Sequence, residues 1–231
     1  MKNIAFIVNP ISGTRTKSRV AKLIRDVLDS QQFTPTLITT EYPGHATLLA
    51  QQFAKQDYYA VVAVGGDGTV NEVARGLVGT EKALGIIPCG SGDGLARHLG
   101  LSHNIERALA TIERGEMRSM DAAEVNGRLF FSVCGVGFDA VVSEQFAKCG
   151  KRGLGSYIKE GLKTWRIYQP EKYRISIDDR TFEHEAMLVT VGNSNQWGNE
   201  AKITPLADSS DGILDITVVD GFRAVEIPWL A

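Results

Sequence analysis

The sequence predicts an α/β fold in which a parallel-sheet domain precedes a second, β-rich domain. Three observations support this prediction: strand and helix patterns alternate up to about residue 118, strand patterns dominate afterwards, and glycine clusters follow two of the apolar runs. Strands separated by helices of this length are joined by right-handed crossovers, which make neighbouring strands parallel. We therefore expect domains over residues 1–118 and 119–231.

In the first domain, apolar or β-branched runs predict strands, and apolar residues three or four apart predict helices. The predicted strands cover residues 4–8, 34–40, 59–64 and 84–87, and the predicted helices cover 20–28, 46–54, 70–78 and 105–112. This alternation is typical of repeated βαβ units, whose strands form one parallel sheet.

In the second domain, apolar and polar residues alternate within short runs, which is typical of antiparallel strands with one buried face. The predicted strands cover residues 129–133, 173–177, 187–191 and 214–218. One predicted helix, over residues 154–165, interrupts them. The pattern therefore favours an antiparallel, β-rich domain.

The composition is that of a globular protein, with 43% hydrophobic residues, 23% charged residues and a formal net charge of −2. It excludes a disordered chain and a polybasic arm, so we expect no nucleic-acid partner. Cys89, Cys134 and Cys149 form no CxxC pair, which favours a reducing cytoplasm over a disulfide framework. No apolar run reaches the ~18 residues of a membrane span, so we expect any membrane contact to be peripheral.

A glycine-rich loop between the third predicted strand and the next helix reads GGDGTVN over residues 65–71. N–H groups at a helix N-terminus favour an anion, and glycines let a phosphate approach the backbone closely. Thr69 and Glu72 have the spacing of a capping box, which predicts Thr69 as the N-cap. Asp67 suits a phosphate site if Mg²⁺ lies between its carboxylate and the phosphate oxygens. The alternative is a tight turn without a ligand.

A second loop, PCGSGDG over residues 88–94, directly follows the fourth predicted strand. Two such loops after neighbouring parallel strands converge on one crevice at the carboxyl edge of the sheet. Neither contains the Walker sequence G-x-x-x-x-G-K, and neither matches G-x-G-x-x-G, because Asn71 stands where the last glycine belongs. A third loop, NPISGTR over residues 9–15, follows the first strand, and its Arg15 either pairs with phosphate oxygens or lies in a solvated turn.

Together these loops resemble those of the diacylglycerol kinase catalytic domain family, which includes bacterial lipid kinases and sphingosine and ceramide kinases. The resemblance rests on NPxSG at residues 9–13, GGDGTxN at 65–71 and PxGSG at 88–92, which occur in the family's order. The sequence GVGFDA at residues 135–140 is similar to a later family motif. The resemblance implies a phosphofructokinase-like α/β domain followed by a β-sandwich domain.

The resemblance also implies a kinase that transfers the γ-phosphoryl group of ATP to a hydroxyl of diacylglycerol or a similar lipid at a membrane surface. Asp67 is implied to be the catalytic residue and to organise Mg²⁺. The residues implied to contact the nucleotide lie on the loops after the strands, and they are Asn9, Thr40, Gly65, Gly66, Asp67, Gly68, Thr69, Val70, Asn71 and Ser91.

The family has, in addition, a structural metal site in its second domain. Its pattern of two carboxylates three residues apart and a carbonyl two residues further on matches Asp208, Asp211 and Ile213. Two carboxylates and a carbonyl on one turn suit a hard cation whose coordination shell is completed by water. The alternative is a polar turn before the strand predicted at residues 214–218.

The chain departs from the family pattern in two places. Most diacylglycerol kinases read Gly-Asn-Asp in the second loop, whereas this chain reads Gly92-Asp93-Gly94, which leaves a sphingoid base or another lipid alcohol open as the acceptor. The family's general-base glutamate lies in a segment after the region around Asp220, and this chain ends at Ala231. We therefore expect the base outside these residues, and expect the 231-residue chain to bind ATP weakly, not to phosphorylate lipids and to self-associate as a homo-oligomer.

Two further functions stay open from the sequence. An NAD-kinase-like enzyme shares the first loop, but GSG at residues 90–92 and GVGFD at 135–139 disfavour it. A non-catalytic nucleotide or lipid binder is the alternative if the natural chain ends at residue 231.

Overall fold

The structure, a computed structural model, describes residues 1–12, 17–148 and 154–221. The chain divides into two compact units, Met1–Phe131 and Ser132–Ala231. The sequence pattern changes after residue 118, whereas the compact units divide the chain after Phe131. The domain boundary after residue 118 stays a prediction.

The first unit is built on a parallel sheet, four-stranded in the described residues. Its strands are β1 (Lys2–Val8), β2 (Phe33–Thr39), β3 (Ala60–Gly65) and β4 (Ala83–Pro88), in the order β2-β1-β3-β4. Ile4 of β1 lies in register with Pro35 of β2 and Ala60 of β3. Every residue of the central strand β3 is buried, as expected for a parallel strand covered on both faces.

Helices cover both faces of this sheet. The described part of the unit contains α1 (Lys17–Val27), α2 (His45–Ala54), α3 (Asp67–Leu77), α4 (Gly94–His98) and α5 (Ile105–Arg114). Ala5 and Ile7 of β1 pack in one apolar cluster with α2 and α3, whereas Ile4 and Phe6 pack in another with α1 and α5. This alternation follows from the two-residue period of a strand. A short hairpin, β5 (Ala123–Val125) with β6 (Arg128–Phe130), follows α5.

The predicted strands and helices of this unit are confirmed, with bounds that differ by a few residues. The pattern does not predict α4, because its five residues are too few for an apolar repeat at helical spacing. The start of α3 lies three residues before the predicted one, which matters for the functional site.

The second unit contains an antiparallel sheet and two hairpins in its described residues. The sheet is formed by β7 (Val133–Gly137), β10 (Leu188–Gly192) and β13 (Asp215–Val219), with β10 in the centre. The hairpins pair β8 (Glu171–Ile177) with β9 (Arg180–Ala186), and β11 (Gln196–Gly198) with β12 (Ala201–Lys202). The strands predicted at residues 173–177, 187–191 and 214–218 are therefore confirmed.

Two details of the second half differ from the prediction. The strand predicted at residues 129–133 is instead the end of β6 and the start of β7, because the chain changes sheet at Phe131 and Ser132. Two helices, α6 (Phe138–Lys148) and α7 (Leu154–Trp165), lie between β7 and β8 in the chain, and only α7 is predicted. Phe138, Val141 and Val142 have the helical spacing that could have predicted α6.

A membrane span needs more length and apolar character than any helix among the described residues has.

Candidate functional site

The residues predicted to contact a nucleotide gather at one edge of the parallel sheet. Asn9 follows β1, Thr40 follows β2, and the two glycine loops follow β3 and β4. The backbone N–H groups of Asn9, Thr40 and Cys89 donate to carbonyl oxygens at the ends of neighbouring strands, at 2.9 or 3.0 Å. These hydrogen bonds hold the starts of the loops at the carboxyl edge, which is where open α/β sheets bind ligands.

The two glycine loops touch through their backbones. A Cβ atom built on Gly66 would lie 3.1 Å from Cα of Gly90, and one built on Gly90 would lie 2.7 Å from Cα of Gly66. Any side chain at either position would push the loops apart, so the contact itself requires glycine. The expected convergence of the two loops is present in the structure.

Asn9 ties the third loop to the first glycine loop. Its side-chain N–H donates to Oγ1 of Thr69 at 2.9 Å, and Thr69 is buried. A Cβ atom on Gly65 would lie 2.4 Å from the same Oγ1 atom, so Thr69 occupies the space that a side chain at position 65 would need. Asn9, Gly65 and Thr69 therefore form one packed group at the end of β1 and β3.

The capping box predicted for Thr69 and Glu72 is wrong. α3 begins at Asp67 with Gly66 as its N-cap, and the N–H groups of Thr69 and Val70 donate to the Gly66 carbonyl at 2.9 and 3.1 Å. The extended backbone of Gly66 lets the chain enter the helix early, which leaves the Thr69 hydroxyl for Asn9. The helix start therefore lies directly beside the glycine contact, where its dipole favours an anion.

Glu72 serves a different helix. Its carboxylate accepts hydrogen bonds from the backbone N–H groups of Gly44 at 2.9 Å and Ala46 at 3.2 Å, at the N-terminus of α2. The Thr47 hydroxyl donates to the Glu72 carbonyl at 2.8 Å, which adds a second tie between α2 and α3. Glu72 thus fixes the loop that follows Thr40 relative to the helix that follows the first glycine loop.

Asp67 is the first residue of α3, and it faces the chain after the second glycine loop. Its Oδ1 atom accepts a hydrogen bond from the backbone N–H of Leu95, in α4, at 3.3 Å. The side chain is half-buried. The predicted catalytic carboxylate therefore lies at the start of α3 and contacts α4, the short helix that follows the second loop.

Asp93 is a candidate that the sequence-based prediction of site residues missed. Its side chain is only 2% exposed, and its Oδ1 atom accepts the N–H of Gly90 at 3.0 Å. Its Oδ2 atom lies 3.2 Å from Nε2 of His103. Burial raises the pKa of the Asp93 carboxyl, and the negative charge of Asp67 raises it further. The signal in the sequence was an acidic residue between two glycines of a loop already singled out.

The remaining predicted contacts occupy different environments. The Val70 side chain packs in the core with α2, so only its backbone is available to a ligand. Thr40 is buried, Asn71 is half-buried and Ser91 is exposed. Outside its own turn of helix, no described atom lies within 4 Å of a Cβ atom built on Gly68, which leaves open space beside the start of α3.

The sequence-based prediction of site residues also did not include Asp139, which lies in the second unit. It is the second residue of α6, and its Oδ1 atom accepts the N–H of Ala140 at 2.9 Å. Burial raises the pKa of its carboxyl to about 6. The sequence singled out its motif, GVGFDA, without assigning the carboxylate a role.

The predicted metal ligands Asp208, Asp211 and Ile213 lie on an exposed turn before β13. Oδ1 of Asp208 accepts both the N–H and the hydroxyl of Ser210, at 3.0 and 2.7 Å, and Oδ1 of Asp211 accepts the N–H of Ile213 at 2.9 Å. Among the described residues, no group of three or more His, Cys, Asp or Glu side chains could hold a metal ion. The predicted site has only two such side chains, and its third ligand is a backbone carbonyl. It therefore stays a prediction.

Some residues named in the sequence analysis lie outside the described residues. They are Gly13 to Arg15 of the third loop, Cys149, and the last ten residues from position 222.

Two known families match the chain. The diacylglycerol kinase catalytic domain matches residues 3–125, and the YegS C-terminal NAD kinase β-sandwich-like domain matches residues 132–227. The first match confirms the resemblance drawn from the loops, and the second confirms the predicted β-sandwich class.

Individual relatives are similar over nearly the whole chain. A diacylglycerol kinase of Bacillus subtilis (strain 168) is 31% identical over 225 residues, which are 95% of this chain and 74% of the relative. A diacylglycerol kinase of Staphylococcus saprophyticus is 30% identical over 230 residues, 98% of this chain and 75% of the relative. A crystal structure of a diacylglycerol kinase from Bacillus anthracis str. Sterne is similar with a TM-score of 0.78 and 32% identity, over 95% of this chain and 74% of that chain.

Proposed function

The chain belongs to the diacylglycerol kinase catalytic domain family, and on that premise we propose that it is an ATP-dependent lipid kinase. The bond between the γ-phosphorus and the β,γ-bridging oxygen breaks, a bond to the lipid hydroxyl oxygen forms, and the hydroxyl proton is released. The names of the relatives make diacylglycerol the first acceptor to test. Sphingoid bases and ceramide are the alternative acceptors.

One observation carries this proposal: the backbone contact of the two glycine loops at Gly66 and Gly90, beside the start of α3. A polyphosphate chain needs peptide N–H groups that side chains do not cover. Gly66 at the contact and the open space beside Gly68 supply such a surface at the start of α3, whereas the Gly90 N–H already donates to Asp93. The carboxyl edge of the parallel sheet therefore supports binding of the ATP phosphates.

The residues at this edge also fit Mg²⁺, which the family implies together with ATP. Asp67 places a carboxylate in the first turn of α3, and a carboxylate repels a bare phosphate beside it. A divalent cation between a carboxylate and the phosphate oxygens removes this repulsion. Asp67 would hold Mg²⁺, which when bound neutralises charge on the phosphates.

The contribution of the chain itself is mainly positioning. The N–H groups at the start of α3 orient the phosphates, and the hydrogen bond between Asn9 and Thr69 holds the end of β1 against the first loop. Phosphoryl transfer needs alignment and charge stabilisation more than covalent chemistry from the protein. Because the acceptor is a lipid, the enzyme would meet it at a membrane surface.

A second candidate function is phosphorylation of NAD. The family that matches residues 132–227 is described as NAD kinase β-sandwich-like, which is the observation that favours it. The match of residues 3–125 to the diacylglycerol kinase catalytic domain weighs against it.

The test uses the protein as its gene encodes it, with labelled ATP and Mg²⁺. Mixed micelles offer diacylglycerol, monoacylglycerol, ceramide or sphingosine, and a parallel reaction offers NAD. We expect label in a lipid product, with diacylglycerol preferred. Label in NAD alone would select the second candidate, and label in neither product would contradict both.

A further inference from the structure

We propose that Asp93 is a positioning residue of the nucleotide site, which holds the second glycine loop against the first and is itself held by His103. This inference rests on the proposed function, because it explains how the two loops that are proposed to bind the phosphates are held in place. Asp93 does not reach the nucleotide in this proposal; it acts through Gly90 and through α4.

Asp93 contacts Gly90 through its carboxylate. The Asp93 carboxylate accepts the Gly90 N–H at 3.0 Å, and a Cβ atom on Gly66 would lie 3.7 Å from the same Oδ1 atom. The carboxylate therefore lies directly behind the place where the two loops touch. A charged acceptor makes this hydrogen bond stronger than one between neutral groups.

The position of the Asp93 carboxylate depends on the backbone conformation of Asp93 and on His103. Asp93 has a backbone φ of 49°, a left-handed conformation that aspartate and asparagine adopt more readily than most residues. Its Oδ2 atom lies 3.2 Å from the His103 imidazole, whose side chain is 39% exposed. His103 precedes Asn104, which caps α5 by accepting the N–H of Arg107. The pair therefore joins the loop to the start of α5.

Asp93 is connected through α4 to Asp67, the predicted catalytic carboxylate. The Arg97 side chain donates to the Gly92 carbonyl at 3.0 Å, which closes the loop onto α4. α4 also presents the N–H of Leu95 to Asp67 at 3.3 Å. A shift of Asp93 would move this short helix, and with it the hydrogen bond that orients Asp67. Burial of a carboxylate costs stability unless its partners compensate, and the Gly90 N–H and the His103 imidazole are such partners of Asp93.

The experiment compares two variants that both tolerate the backbone conformation of Asp93. Asp93→Gly removes the acceptor, whereas Asp93→Asn keeps an oxygen in the same place. We expect Asp93→Gly to weaken ATP binding, measured by calorimetric titration, by about tenfold, and Asp93→Asn by less than about threefold. In steady-state assays of the protein as its gene encodes it, the KM for ATP should rise in Asp93→Gly while the KM for the lipid stays unchanged. Wild-type affinity in Asp93→Gly, or equal losses in both variants, would overturn the proposal.

A double-mutant cycle tests the role of His103. His103→Ala should weaken ATP binding about threefold in the wild-type background and have no further effect in Asp93→Gly, because it acts through Asp93. The matched control is His184→Ala, which removes a second carboxylate–imidazole pair, with Asp220 at 2.6 Å, in the other compact unit. It should leave ATP affinity unchanged. Additive losses from His103→Ala and Asp93→Gly would overturn the coupling.

Hydrogen exchange in the nucleotide-free protein separates this inference from the proposed function. The Gly90 amide should exchange at least about tenfold faster in Asp93→Gly than in the wild type or in Asp93→Asn, with an unchanged melting temperature confirming the fold. If wild-type protein binds no ATP, the proposed function fails and this measurement still decides the inference. Equal exchange of the Gly90 amide in all three proteins would overturn it.

Discussion

The Asp67 side chain is short and accepts a hydrogen bond from a defined backbone group. Its charge can therefore be removed by a substitution that keeps the size and shape of the side chain. Asp67→Asn keeps the acceptor for the Leu95 N–H but removes the negative charge. In the protein as its gene encodes it, we expect lipid phosphorylation to fall by about a hundredfold or more with an unchanged melting temperature, because in the proposed function the charge holds the cation and not the fold. The measurement is transfer from labelled ATP to diacylglycerol. Asp26→Asn, at an exposed position of α1, is the control, and near-wild-type turnover of Asp67→Asn would remove the assigned role.

Asp139 predicts a pH-dependent stability. Burial raises the pKa of its carboxyl from 3.8 to about 6, so the folded protein binds this proton more tightly than the unfolded chain. Its stabilising contribution is therefore fully present below about pH 4 and is lost as the pH rises through about 6. Asp139→Asn stays neutral and should raise the free energy of unfolding at pH 7.5 by about 1–3 kcal/mol, with little change at pH 4.

Urea unfolding of both proteins from pH 4 to 8 checks this prediction. The control is Asp178→Asn, at an exposed position in the turn between β8 and β9, which should not change the profile. An Asp139→Asn curve parallel to that of the wild type across the whole range would contradict it.

At the scale of secondary-structure elements, we expect Glu72 to stabilise the N-terminus of α2. Its carboxylate accepts two N–H groups at the start of that helix, at 2.9 and 3.2 Å. Glu72→Ala should lower the free energy of unfolding by about 1–2 kcal/mol, the usual effect of losing a helix cap, while Glu72→Gln, which keeps only one of the two acceptor oxygens, should lose about half as much. An unchanged stability of Glu72→Ala in thermal unfolding would contradict the capping role.

The turn before β13 predicts a cation dependence. If Asp208, Asp211 and the Ile213 carbonyl hold a structural cation, a chelator should lower the melting temperature, because a ligand of the folded state stabilises it by mass action. Asp208→Asn keeps the acceptor for Ser210 and should remove most of this dependence. Identical melting curves of the wild type in chelator and in excess Mg²⁺ or Ca²⁺ would favour a plain polar turn.

At the scale of the whole molecule, we expect copies of the chain to associate through one apolar face of the antiparallel sheet. Val136, Val189 and Val218 lie side by side across β7, β10 and β13, and Cys134, Val191 and Ile216 form the next row. Val136 is 52% exposed and Ile216 is 38% exposed in the described structure, whereas Val189, between Val136 and Val218, is buried. Exposed apolar surface of this kind favours association between copies of the chain.

The substitution Ile216→Thr should reduce the concentration-dependent mass measured by light scattering, because threonine suits a strand but is less apolar. Ile177→Thr is a matched control, since Ile177 is also 38% exposed and lies on the separate hairpin β8–β9. An equal reduction in both variants would argue against this face as the contact.

Local sequence patterns determined the architecture of the first unit. The strand and helix periods placed its predicted strands and most of its helices, and the glycine loops followed β3 and β4 as expected. The period of apolar residues along the chain reflects burial of one face of a strand or helix. It can therefore be recognised in long elements but not in the five residues of α4. The capping box failed because α3 begins three residues earlier than predicted, with Gly66 as its N-cap, and the Glu72 carboxylate instead caps another helix.

The sequence by itself determined that the chain has a parallel sheet with two glycine loops at its carboxyl edge, because both features depend on short stretches of chain. Only the tertiary structure decided which groups meet there. The Gly66–Gly90 contact, the Asp93–His103 pair and the bond from Leu95 to Asp67 join parts of the chain that sequence spacing does not relate. The burial that raises the pKa of Asp93 and Asp139 likewise depends on packing around each carboxyl, which no local pattern encodes.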